Sequence, residues 1–183
     1  FLKITSTLKV LDLCILRLKK TKLVNKIFLC TTKKKEDDKY KKISSDHDLI
    51  LFRGSTNNVA KRMIDCAKKN SIQTIVRITA DCPIIDPKII DKCIKLHFEK
   101  KNDYTSNILV LSYPDGLDVE LINLNALIKS QKISRGKINK EHVTTFIRKS
   151  KLFKKKNYKN KVNYSNRRWT LDNFNDFLFI KKV

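Results

Sequence analysis

Two aspartates, each at the end of an apolar run, are the residues best placed to do chemistry. Asp81 lies in Val76–Pro87, which reads VRITADCPIIDP, and Asp172 closes Arg168-Trp169-Thr170-Leu171-Asp172. In an open α/β sheet, ligands bind outside the carboxyl ends of the strands. Asp81 and Asp172 could jointly hold one hard cation there. Mg2+ takes one or two carboxylates plus substrate phosphates, and it neutralises charge on a displaced pyrophosphate. The plainer alternative for Asp81 is that it only caps a turn.

Three further clusters sit at strand ends or turns. In Arg53-Gly54-Ser55, Gly54 permits a tight turn or a close ligand approach. Arg53 can clamp a phosphate or a base edge, and Ser55 can cap the helix that follows; a simple helix N-cap is the competing reading. Arg77 and Thr79 form a cluster with Asp81 at the end of that run. In Asp115-Gly116-Leu117-Asp118-Val119-Glu120, Asp118 and Glu120 share one face, because side chains repeat every second residue in a strand. Two carboxylates on one face suit a cation or sugar hydroxyls. His47, His97 and His142 lack metal-ligand spacing, and only His142, after Glu141, falls in a candidate site. There is no nucleophile elbow, and the three glycines make neither a P-loop nor a G-x-G-x-x-G turn.

These clusters need strands and helices to hold them. Helical periodicity covers Thr7–Lys20, Asn57–Lys69, Pro87–Lys100, Leu124–Gln131 and Asn139–Lys149. A charged helix begins within Lys33–Lys42 and reaches Ser44. Short apolar runs predict strands at Lys26–Thr31, Leu49–Phe52, Thr74–Ile78, Asp103–Asn107, Leu117–Ile122 and Tyr164–Leu171. The β-branched Ile75, Val76 and Ile78 suit a strand covered on both faces. Asp86 before Pro87 is a helix cap with proline at the first helical position, and Asn173 caps a closing helix through Ile180. The alternation predicts an α/β fold with a mostly parallel sheet between helix layers.

Composition narrows the classes. At 183 residues one domain is expected, spanning 1–183. The five cysteines are odd in number and form no C-x-x-C pair, which argues against a disulfide framework or zinc knuckle and favours a reducing, cytoplasmic setting. No apolar stretch approaches the length of a membrane span. The net charge of +23 is spread over every segment. Runs such as Lys33–Lys35 and Lys154–Lys156 read as solvated loop faces, so no specific nucleic acid is expected. The positive field favours anionic ligands such as nucleotides.

Five segments, RGSTNNVAKR (Arg53–Arg62), VRITADCPIIDP (Val76–Pro87), YPDGLDVE (Tyr113–Glu120), EHVTTFIR (Glu141–Arg148) and RWTLDNFNDF (Arg168–Phe177), together resemble the cytidylyltransferase superfamily. That group includes CMP-Kdo synthetase and acylneuraminate cytidylyltransferase, and the spore-coat polysaccharide biosynthesis branch is the most similar. The resemblance implies a three-layer α/β/α fold with a Rossmann-like sheet of the nucleotide-diphospho-sugar transferase type. It implies CTP and a sugar acid as substrates, a CMP-sugar and pyrophosphate as products, Mg2+ as cofactor, surface polysaccharide biosynthesis as the setting, and a homodimer as an option. It places Mg2+ on Asp81 and Asp172, and the nucleotide at Arg53, Gly54, Ser55, Arg62, Arg77 and Thr79. The sugar side falls at Asp115, Asp118, Glu120, Glu141, His142 and Arg148. Ala80 stands where the family usually has glycine, and Asn58 where this branch usually has aspartate. Phe1-Leu2-Lys3 aligns just after the family's basic opening loop, so a domain incomplete at its N-terminus and lacking its first strand is expected. A glycosyltransferase of related fold, or an inactive truncated paralogue, are the alternatives.

Overall fold

The computed structural model describes residues 2–6, 8–134, 136 and 140–183. The order begins with α1 (Val10–Leu18), β1 (Phe28–Thr32), a 3-10 turn (Lys35–Asp38) leading into α2 (Lys39–Asp46), β2 (Ile50–Gly54) and α3 (Val59–Lys69). Then come β3 (Thr74–Arg77), α4 (Pro87–Glu99), β4 (Tyr104–Ser106), β5 (Glu120–Asn123) and α5 (Leu124–Ile133). The order closes with α6 (Thr145–Lys149), β6 (Lys155–Asn157) and α7 (Phe174–Lys182). Sequence segments reaching back to Phe1, Thr7 or Asn139 start on residues outside the described set.

Among the described residues the strands form two sheets. β1 and β2 pair in parallel, with Cys30 opposite Phe52 and Thr32 opposite Gly54. The second sheet has the order β3-β5-β4-β6. β5 is antiparallel to both its neighbours, while β6 is parallel to β4. β3, β4 and β6 therefore point one way, in the sense the alternation predicts, and β5 alone is reversed, which makes the sheet mixed.

Two cores lie on opposite faces of that sheet, and β5 shows why. Successive residues of a strand point to opposite sides. Leu121 packs with Cys14, Ile85, Ile90, Cys93 and Val119 under α1 and α4. Ile122 packs with Ala60, Tyr104, Leu127, Val143 and Ile147 under α3, α5 and α6. Both are fully buried, and each contributes about 2 kcal/mol by area. The result is helix, sheet, helix: three layers.

Local chemistry sets the helix starts. Asp86 accepts from the Lys88 amide at 2.8 Å, with Pro87 in the first turn, as expected. Asn173 caps α7 and accepts from the Asp176 amide at 3.0 Å. At α3 the cap is Asn58, which accepts from the Lys61 amide at 2.8 Å, rather than Ser55.

Several expectations are corrected. Strand Leu117–Ile122 begins only at Glu120, because Asn107 clamps the preceding backbone with its side chain. Its Nδ2 donates to the Leu117 carbonyl at 2.7 Å, and its Oδ1 accepts from the Val119 amide at 2.8 Å. Tyr164–Leu171 is not a strand; it makes one isolated bridge, Asp115 with Arg168, and its other main-chain bonds go to loops. Helix Asn139–Lys149 is interrupted before α6 at Val143, which is fully buried with φ of +49°. That backbone region is strained for a β-branched residue. Lys154–Lys156 is not a loop face: Lys155 and Lys156 lie in β6, an edge strand where lysine discourages further pairing. β3 is itself an edge strand, so Ile75 and Val76 are half-buried rather than enclosed.

Candidate active site

The site is assembled where β3 ends. After Arg77 the chain turns through Thr79–Cys82, with the Cys82 amide donating to the Thr79 carbonyl at 3.1 Å. Thr79 Oγ1 lies 3.5 Å from Cys82 Sγ. Asp81 is left exposed at the tip. Its carbonyl accepts from the Leu171 amide at 2.8 Å and from Thr170 Oγ1 at 3.1 Å. The late segment is thereby docked on the end of β3, and Asp172 follows directly. The two aspartates singled out from the sequence, 91 residues apart, are thereby brought to one junction.

A third segment locks onto the same place. The Asp115 amide donates to the Arg167 carbonyl at 3.0 Å, and the Trp169 amide donates to the Asp115 carbonyl at 2.6 Å. Gly116, at φ of +101°, permits the approach: a Cβ there would lie 2.5 Å from the Thr170 nitrogen and from the Trp169 carbonyl carbon. Any other residue would clash with backbone and adopt a strained conformation.

Carboxylates crowd this end of the sheet. Asp118 is pushed up to about 6, first by burial and then by the charges of Asp115, Glu120 and Asp81, with Arg148 opposing. Glu120 is buried and fully engaged. Its Oε1 pairs with Arg77 Nη1 at 2.5 Å and its Oε2 accepts from the Tyr104 hydroxyl at 2.5 Å. Burial and the neighbouring Glu120 charge raise the Tyr104 hydroxyl above the usual range. Arg77 is thus committed to the sheet and Glu120 to its core.

Arg168 is the residue that sequence reasoning underused. Its guanidinium reaches Asp115 at 3.0 Å, Asp176 at 3.1 Å and Asp172 at short range. The Arg168 contact holds the Asp176 carboxyl below the usual range. The spacing to Asp172 and Asp176, four and eight residues on, was a visible signal. The partnership with Asp115, 53 residues away, was not.

The Arg53–Arg62 segment behaves differently. Arg53, on β2, is used against the end of β1 and the turn that follows it: Nε donates to the Thr32 carbonyl at 2.9 Å, Nη1 pairs with Asp38 at 2.5 Å, and Nη2 donates to the Lys34 carbonyl at 2.7 Å. Gly54 abuts α3, where a Cβ would lie 2.8 Å from Arg62 Cγ. Arg62 Nη1 donates to the Ser55 carbonyl at 2.7 Å, and its Nε is buried without a partner. A cavity of about 290 Å³ lies beside this segment, lined by Asn58, Lys61, Ile64, Gln131 and Lys140.

Glu141 and His142 are exposed, and among the described residues neither forms an ion pair. Arg148 is exposed and lines a cavity of about 250 Å³ with Leu109, Thr145 and Lys149. Its charge acts on both Asp118 and Tyr104. Among the described residues no three His, Cys, Asp or Glu side chains are grouped to hold a metal unaided. If Asp81 and Asp172 held a Mg2+ ion, water and phosphate oxygens would complete its shell. Among the described residues no helix is long and apolar enough to cross a membrane.

This architecture has known counterparts. A cytidylyltransferase from Leptospira borgpetersenii superposes with a TM-score of 0.92 at 31% identity, over 96% of this chain and 75% of that one. An uncharacterised protein of Methanocaldococcus jannaschii is 35% identical over 93% of this chain and 72% of its own length. The spore coat polysaccharide biosynthesis protein SpsF of Bacillus subtilis is 30% identical over 76% of this chain, and the match spans 59% of that protein. The cytidylyltransferase family itself matches residues 8–178, which take in both aspartates and every segment of the site: the chain belongs to that family, whose reaction is nucleotidyl transfer from CTP.

Proposed function

We propose that this chain activates a sugar acid with CTP, giving a CMP-sugar and pyrophosphate for a surface polysaccharide. The observation that carries the reading is the docking of Leu171 and Thr170 on the Asp81 carbonyl, which joins two exposed carboxylates at the mouth of the sheet. In the reaction a sugar hydroxyl attacks the α-phosphorus of CTP. The bond to the β-phosphate breaks, and pyrophosphate leaves. Asp81 and Asp172 would hold Mg2+, which supplies positive charge to the phosphates. Arg168 orients Asp172 and ties it to Asp115. Asp118 stands ready to take the hydroxyl proton, because burial among carboxylates brings it close to neutral pH. Arg148, on the wall of the neighbouring cavity, faces the acceptor and favours one that carries a negative charge. The polysaccharide setting is supported by the name of the Bacillus subtilis relative.

The test is pyrophosphate release from CTP and Mg2+ with a panel of sugar acids. It is run on this chain and on the same chain preceded by a strand and a basic R-L-P-x-K-type loop. Release by either form with one class of sugar acid is the expected result. Release by neither, with both forms folded, overturns the reading.

A further inference from the structure

Away from the carboxylate cluster, β1 and α3 bring two thiols together. Cys30 lies opposite Phe52 and Thr32 opposite Gly54 in the parallel register, so Cys30, Thr32, Phe52 and Gly54 share one face of the two-stranded sheet. That face is turned to α3, because Gly54 abuts Arg62. Cys66 follows Arg62 by four residues, one turn further along the same side of the helix. A helix that returns antiparallel to β2 carries Cys66 back over Phe52 and Cys30. Each thiol bears on the other's ionisation: Cys66 is held below the usual thiol range by Cys30, and Cys30 is raised by Cys66 and by burial.

The remaining cysteines offer no such pairing. Cys14, Cys82 and Cys93 are buried in the core and each is pushed up to about 12, so they stay protonated and unreactive. Cys66 is buried too, but its partner Cys30 is only half-buried, which leaves a small oxidant a way in.

We propose that Cys30 and Cys66 form a redox-active dithiol that closes to a disulfide between β1 and α3. With hydrogen peroxide as oxidant, the Cys66 thiolate attacks one peroxide oxygen. The O–O bond breaks, hydroxide leaves and is protonated to water, and Cys66 becomes a sulfenic acid. Cys30 sulfur then attacks the Cys66 sulfur. The S–O bond breaks, a second water leaves, and the S–S bond forms. Two electrons pass from the thiols to the peroxide, and a dithiol reductant reverses the change by exchange. The disulfide ties α3 to the sheet one turn from Arg62, whose guanidinium holds the Ser55 carbonyl. Oxidation therefore acts on the Arg53–Arg62 segment, whatever that segment binds, and the inference stands independently of the CTP reading.

The experiment is a thiol titration in denaturant after brief exposure of the folded chain to hydrogen peroxide, followed by peptide mapping without reduction. The expected count falls from five thiols to three, one linked peptide pair joins Cys30 to Cys66, and dithiothreitol restores all five. The Cys30→Ser variant yields no intramolecular linked pair. Mapping of the unmutated chain needs no variant, so the result holds even if Cys30→Ser folds poorly. Five thiols that persist, a link between other cysteines, or a loss that dithiothreitol does not reverse would each overturn the proposal.

Discussion

The carboxyl ends of the two sheets treat their charges in opposite ways. At the end of β2, the guanidinium of Arg53 closes on Thr32, Lys34 and Asp38, at the end of β1 and in the turn after it. At the end of β3, Asp81 contributes its carbonyl to the fold and leaves its carboxylate in solvent, beside Asp115, Asp118 and Asp172. The first end is built from satisfied charge; at the second, Arg168 pairs Asp115 and Asp172, while the Asp81 carboxylate forms no ion pair among the described residues. Residues that stabilise and residues that react are told apart here by where their polar atoms go, not by residue type.

The comparison is sharpest at Asp81. Asp81→Asn lowers kcat by roughly 10²-fold or more with little change in Tm, as loss of a transition-state charge partner should. Near-normal turnover would erase the distinction between the two ends. Asp118→Asn is expected to stabilise the fold by roughly 1–2 kcal/mol above pH 6 while slowing turnover. The sign follows from a carboxyl raised to about 6 in the folded chain. The folded state binds the proton more tightly, so ionisation costs stability above that pH. The gain from asparagine shrinks as pH falls from 6 towards 4. Urea unfolding at pH 8 and pH 4.5 measures it, and an equal effect at both would refute the cause.

At the other end, Arg53→Met lowers Tm by roughly 2–4 °C and leaves KM for CTP nearly unchanged. A large rise in KM at constant Tm would make Arg53 a ligand clamp after all. The smallest effect concerns His97, on α4 and buried against the four-stranded sheet. Its Nε2 donates to Asn123 Oδ1 at 2.9 Å, and its Nδ1 accepts from Thr105 Oγ1 at 3.0 Å. Burial lowers its proton affinity below the usual histidine range. Its contribution is fully present above pH 6.5 and declines as pH falls below that value, where the unfolded chain takes up the proton first. An NMR titration that shows an ordinary midpoint for this imidazole would contradict the assignment.

Much of this was legible in local sequence. Asp86-Pro87 marks a helix start within two residues, and the apolar run before Asp81 marks a strand end, because both depend on neighbours in the chain. Arg168 was not readable as the centre of the site, since its Asp115 partner comes from a turn 53 residues earlier. Tyr164–Leu171 has the composition of a strand, yet its amides and carbonyls are taken by the Asp81 and Asp115 loops. β6 was hidden for the converse reason: three lysines read as solvent-facing, but pairing with β4 is a main-chain affair and ignores them. Arg53 misled because a guanidinium beside a glycine looks the same whether it meets a phosphate or a carbonyl.

Gly116 has a consequence for how ligands communicate. With no side chain between them, the Asp115–Asp118 turn and the Trp169–Asp172 segment are held in direct main-chain contact. On the proposed reading, one part faces the acceptor and the other the triphosphate. A displacement of either by its ligand then alters the free energy of binding the other, and thermodynamics requires the effect to be the same in both directions. Nucleotide and acceptor are expected to show reciprocal heterotropic cooperativity, transmitted by a contact that exists only because position 116 has no β-carbon.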